Sequence, residues 1–130
     1  MKEAIMNAML ECTNRDIAAA RTLHDEIRKI LNAHERGERY DAMLQDIKVL
    51  CICTIHTIRD PYCQAKMCEV AIHSDKLFAV DERAGRSMLP IFLRRLIFKS
   101  LQAFDERLGA LETTRRPEHG TSGSNAARSL

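Results

Sequence analysis

Apolar residues recur along this chain at steps of three and four, the period of an α-helix with one buried face. The first stripe runs Met6, Leu10, Thr13, Ile17, Ala20, His24, Ile27, Leu31. Thr13 and Asp16 have the spacing of a capping box, which predicts a helix start near residue 14. The stripe crosses that point without changing phase, so one helix over about residues 2–35 fits the pattern equally well. Gly37 is the expected stop, because helices commonly end on a glycine in the left-handed conformation.

A second helix is expected over about residues 38–59, with the stripe Leu44, Ile47, Cys51, Thr54, Ile58. Between Ile47 and Ile58 the only ionisable groups besides cysteines are Lys48 and His56. Val49, Ile52, Cys53 and His56 lie off the stripe, so this helix is apolar on more than one face. Every helix of a small bundle has an outer side, and an apolar outer side implies a contact with a second copy. Those four residues are the expected interface of a homodimer.

Asp60-Pro61 is a break and a restart, since Asp suits an N-cap and Pro the first helical position. The third helix carries Cys63, Met67, Val70, His73, Leu77 and Val80 on one stripe and ends before the polar loop 81–86. Ser87 is a candidate cap for a fourth, with Pro90 in its first turn. Its stripe is Leu89, Leu93, Ile97, Leu101, Phe104, Leu108, Leu111. From Thr113 onward Gly, Ser, Thr, Pro and Arg dominate without a period, the signature of a disordered tail. The expected organisation is all-α: an antiparallel four-helix bundle over residues 1–112 and a disordered tail over 113–130.

Composition supports helices, because with only 5% aromatic residues the core must be built from aliphatic side chains and Met. Residues 1–112 hold 17 Lys and Arg against 17 Asp and Glu, so the body is neutral. The formal charge of +2 comes from Arg115, Arg116 and Arg128 set against Glu118. A nucleic-acid binder usually has a basic face on its folded part. Here only Arg94, Arg95 and Lys99 cluster, and they read as a solvated helix face. No apolar run is long enough to span a bilayer, so no membrane partner is expected. Five cysteines cannot all pair within one chain. The first apolar stretch is short and flanked by Glu3 and Glu11, unlike a secretory signal. Reduced thiols in a cytoplasmic protein are expected.

Chemistry concentrates in one stretch, where Cys51, Cys53, His56, Cys63, Cys68 and His73 fall within 23 residues. Three candidate ligands sit on inward stripes of three different helices: His24, Cys51 and His73. Bundle metal sites are built from such facing side chains, and imidazole with thiolate suits Zn²⁺. A packed cysteine and a hydrogen-bonded core histidine are the plainer account of the same residues. On this view there is no cofactor, with zinc as the one candidate.

The order and approximate spacing of His24, Cys51 and His73 resemble the chemoreceptor zinc-binding domain over about residues 15–112. That family is a four-helix bundle with a His on its first helix, a Cys on its second and a His-x-x-x-His pair on its third. The resemblance implies a zinc-sensing bundle in which these three residues are ligands. Leu77 stands where the fourth ligand would be, and Ile27 replaces an aromatic residue often found after the first His.

Other chemistry is thinner. Asp25 and Glu26 lie where they could orient the His24 ring. His34 is placed to meet a helix C-terminal dipole. Arg28 with His34 echoes a spacing found in helical nucleases. Cys53 and His56 are close enough on a helix for the imidazole to tune the thiol. His24, His56 with Asp60, and His73 resemble part of a hemerythrin-like di-iron set, with too few ligands for two irons. No catalytic motif emerges. The expectation is a small non-enzymatic regulatory or adaptor protein acting through protein–protein contact as a homodimer. The alternative is a zinc- or redox-responsive sensor using His24, Cys51 and His73.

Overall fold

The computed structural model describes residues 12–81 and 88–115. They form four helices: α1 (Asn14–Glu35), α2 (Met43–Thr57), α3 (Pro61–Asp81) and α4 (Leu89–Arg115). Each helix packs on its chain neighbour and α4 closes the ring on α1, giving an antiparallel four-helix bundle. The antiparallel registers are fixed by named contacts. Lys48 reaches Asp75 across α2 and α3, Ser100 reaches Glu69 across α3 and α4, and Arg21 reaches Glu112 across α1 and α4.

Local sequence explains the ends of α1. Thr13 is extended (φ −93°, ψ 168°), its Oγ1 accepts the Asp16 N–H at 3.0 Å, and its own N–H donates to Asp16 Oδ2 at 3.1 Å. This reciprocal box starts the helix at Asn14 and overturns an unbroken helix over 2–35. Residues 1–11 lie outside the described residues. At the other end Gly37 has φ 95°. Its N–H donates to His34 O and the Glu38 N–H to Ala33 O, the pattern that closes a helix through a left-handed glycine.

The second helix begins later than the pattern predicts. Arg39 Nη1 donates to His34 O at 2.7 Å and to Glu38 O at 2.8 Å, which ties the linker to the end of α1. Met43 N then bonds Tyr40 O, so the chain turns before α2 starts. The helix stops at Thr57 because Ile58 is extended (φ −113°, ψ 116°) ahead of Asp60-Pro61. Asp60 caps α3 as expected, its Oδ2 accepting the Cys63 N–H at 3.1 Å.

The last helix runs three residues beyond the expected boundary at 112, to Arg115. Its final turn is helped by Thr113, whose hydroxyl donates to Gly109 O. The loop 82–86, the candidate cap Ser87 and the remainder of the expected tail, from residue 116, lie outside the described residues. The core follows the stripes, with Ile17, Ile27, Ile47, Met67, Ile97 and Phe104 all fully buried. Among the described residues no helix is long and apolar enough to cross a membrane.

Candidate functional site

The three expected metal ligands occupy different seams of the bundle. His24 is buried between α1 and α4. Its Nε2 donates to the Leu101 carbonyl at 3.1 Å, and its Nδ1 lies 3.1 Å from Asp25 Oδ1. The ring stacks on Phe104, with centroids 5.8 Å apart and planes 9° apart. A carbonyl oxygen can only accept, so Nε2 carries a hydrogen and offers no lone pair to a metal while this bond stands.

Cys51 is buried on α2, close enough to Cys68 of α3 to feel its charge. Burial pushes its thiol up to about 12, and proximity to Cys68 adds to the rise. His73 is only half-buried. It lies one turn beyond Glu69, on the flank of α3 that meets α4. Its Nδ1 is enclosed without a hydrogen-bond partner among the described residues. The innermost position at this level of α3 is Ser74, because a step of four from Val70, rather than three, stays on the buried line. Among the described residues no three His, Cys, Asp or Glu side chains come together in a group that could hold a metal. All five cysteines are free thiols.

The four expected interface residues do share one surface. Val49 and Ile52 are 45% and 55% exposed, and Cys53 and His56 are exposed beside them on the outer side of α2. The surface continues onto α3. Lys48 with Asp75 and Ile55 with Gln64 pair α2 against α3, so Ile52 comes level with Cys68 and Ile72. Ile72 is 54% exposed and Cys68 is also exposed. An apolar patch on two adjacent helices is more than a scatter of single exposed residues.

Two features escape the sequence pattern. The first is a polar contact inside the end of the bundle. His34, expected to meet the dipole at the helix end, lies in the last turn but is fully enclosed and stacks on Phe78 at 4.1 Å. Arg94 Nη2 donates to His34 Nδ1 at 3.0 Å. A guanidinium has no acceptor, so Nδ1 must present its lone pair and the ring is the neutral Nε2–H tautomer. Arg94 is therefore turned inward, and Arg94, Arg95 and Lys99 do not form a common basic face. The second is a group of exposed apolar side chains at the start of α4: Met88, Leu89, Ile91 and Phe92. It borders residues 82–87, outside the described residues.

The remaining candidates are explained by neighbours. Arg28 lies over the Phe98 ring at 5.9 Å, and His34 is taken by Arg94 and Phe78. Glu26 pairs with Lys29 at 3.2 Å on the surface, away from His24. Asp60 is committed to the α3 cap and to Arg107, at 2.8 and 3.0 Å. Burial raises the Asp60 carboxyl, but the Arg107 bonds and the Cys63 N–H outweigh it and hold it below the ordinary carboxylate value.

Compared with known proteins, the chain matches no family model, no curated protein and no solved structure.

Proposed function

We propose that this chain is a small non-enzymatic regulatory or adaptor protein of the cytoplasm, acting through protein–protein contact as a homodimer. The outer side of α2 supplies the contact. The observation that carries this reading is Ile52, 55% exposed, with Val49 on its own helix and Ile72 on α3 exposed beside it. Val49, Ile52 and Ile72 are about half exposed, so burying what remains releases roughly 1 kcal/mol each, and a patch of this kind favours association. Two of the three residues that the zinc alternative needs are already engaged or enclosed. His24 is engaged on both sides of its ring. Cys51 is held protonated by burial.

Ile52→Asp tests the reading by light scattering on a size column. Because Ile52 is exposed, the variant keeps its helix content and folds. The expected result is a wild-type dimer and a monomeric variant. A wild-type mass that is monomeric at every loading counts against the proposal.

A further inference from the structure

We infer that two copies pair through their α2 helices running antiparallel about a two-fold axis beside Ile52, setting Asp46 of each copy against His56 and Arg59 of the other. The inference rests on the homodimer reading above and adds a register to it.

The exposed side of α2 is graded from end to end. Asp46 lies in its first turn, Val49, Ile52 and Cys53 follow, then His56, and Arg59 lies just past the helix end. Acid therefore stands at one end and apolar surface in the middle, and His56 and Arg59 stand at the other end beside Arg15 and Asp16 of α1, whose opposite charges offset each other. Asp46 and His56 are ten residues apart, roughly 15 Å along the axis, so they cannot meet within one chain. Among the described residues, none of Asp46, His56 and Arg59 forms an ion pair. Tyr40 donates to Asp46 Oδ2 at 3.1 Å, which holds the carboxylate at its end of the face.

Such a face is complementary to itself in one orientation only. A parallel pairing aligns Asp46 with Asp46 and Arg59 with Arg59, opposing like charges. An antiparallel two-fold pairing brings acid to base twice, once at each end, and sets the two Ile52 side chains beside each other at the axis. Closed two-fold contacts of this isologous kind also end at the dimer. The outer side of α3 lacks this grading, because Asp75 and Lys76 are neighbours and Asp75 is already engaged by Lys48.

The test is charge reversal in the full chain, read as the dimer dissociation constant by sedimentation. Asp46→Lys and Arg59→Glu alone should each weaken the dimer by about tenfold, since each creates a like-charge contact at both ends. The double variant restores opposite charges across the axis, and its constant should return towards wild type. A short bismaleimide gives a second readout. Cross-linked dimer should persist in Cys68→Ser and vanish in Cys53→Ser. A dimer indifferent to both single reversals, or a cross-link that follows Cys68, overturns the register and leaves the homodimer reading standing. A wild-type chain that is monomeric throughout removes both.

Discussion

Arg107 grips both carboxylate oxygens of Asp60, with Nη2 2.8 Å from Oδ1 and Nε 3.0 Å from Oδ2. The same Oδ2 accepts the Cys63 N–H that opens α3. One enclosed carboxylate thus caps one helix and fastens the next to it. Asp60→Ala removes the cap and strands the guanidinium, and should lower stability by about 2–3 kcal/mol. Arg107 is 35% exposed, which keeps the loss below that of a fully enclosed pair. Chemical denaturation of the variant checks this.

The same contact sets a pH dependence. The Asp60 carboxyl is held below its ordinary value of 3.8 in the folded chain. Its contribution is therefore fully present above the unfolded value and is lost as pH falls through the folded one. Stability measured from pH 6 downward should drop below about pH 4 in the wild type. In Asp60→Asn that component of the drop should be missing. Equal acid slopes in the two proteins would show that the pair contributes nothing.

His24 is predicted to matter for packing rather than for metal. His24→Ala should cost about 2–3 kcal/mol through the lost stack on Phe104 and the lost bond to Leu101. The size of that loss should be the same with and without a chelator, and chelator should not move the melting temperature of the wild type. Stoichiometric zinc that leaves on chelation with a fall in stability would revive the sensor alternative.

Thiol reactivity should divide by burial. Cys51 and Cys63 are pushed up to about 12, in both cases first by desolvation. In dilute protein a maleimide should modify Cys53 and Cys68 quickly, leaving the three enclosed thiols, Cys12, Cys51 and Cys63, until the chain unfolds. Both raised thiols also favour the fold below the ordinary thiol value of 9.0. That contribution is lost as pH climbs from there towards 12, so alkaline denaturation should be weaker in Cys51→Ala than in the wild type.

Gly37 is the clearest case of a residue required by backbone geometry. Its φ of 95° lies where a Cβ is unfavourable, although the space around it is open. Gly37→Ala should therefore cost about 1 kcal/mol through backbone strain alone. Thermal unfolding of the two proteins makes the comparison.

The bundle was legible because its stripes and stops are local. Thr13 with Asp16, Gly37, and Asp60 with Pro61 each act within a few residues, so sequence spacing reveals them. The outer apolar face of α2 was legible for the same reason. What spacing could not show depends on partners far along the chain. Arg107 meets Asp60 across 47 residues, and Arg94 turns inward to His34 across 60. The choice between His73 and Ser74 as the inward residue of α3 turns on one step of three or four. The exposed group from Met88 to Phe92 was hidden because its stripe also supplies core residues such as Leu93 and Ile97. A signal was available in Ile91 and Phe92, which lie off that stripe.

The most direct test of the central claim is sedimentation equilibrium of the wild-type chain and of Ile52→Asp, from low to high micromolar concentration. The account predicts that the wild type moves from 14.8 kDa towards twice that mass as concentration rises, while the folded variant stays at the monomer mass. A wild type fixed at the monomer mass, or a dimer that Ile52→Asp leaves intact, contradicts it.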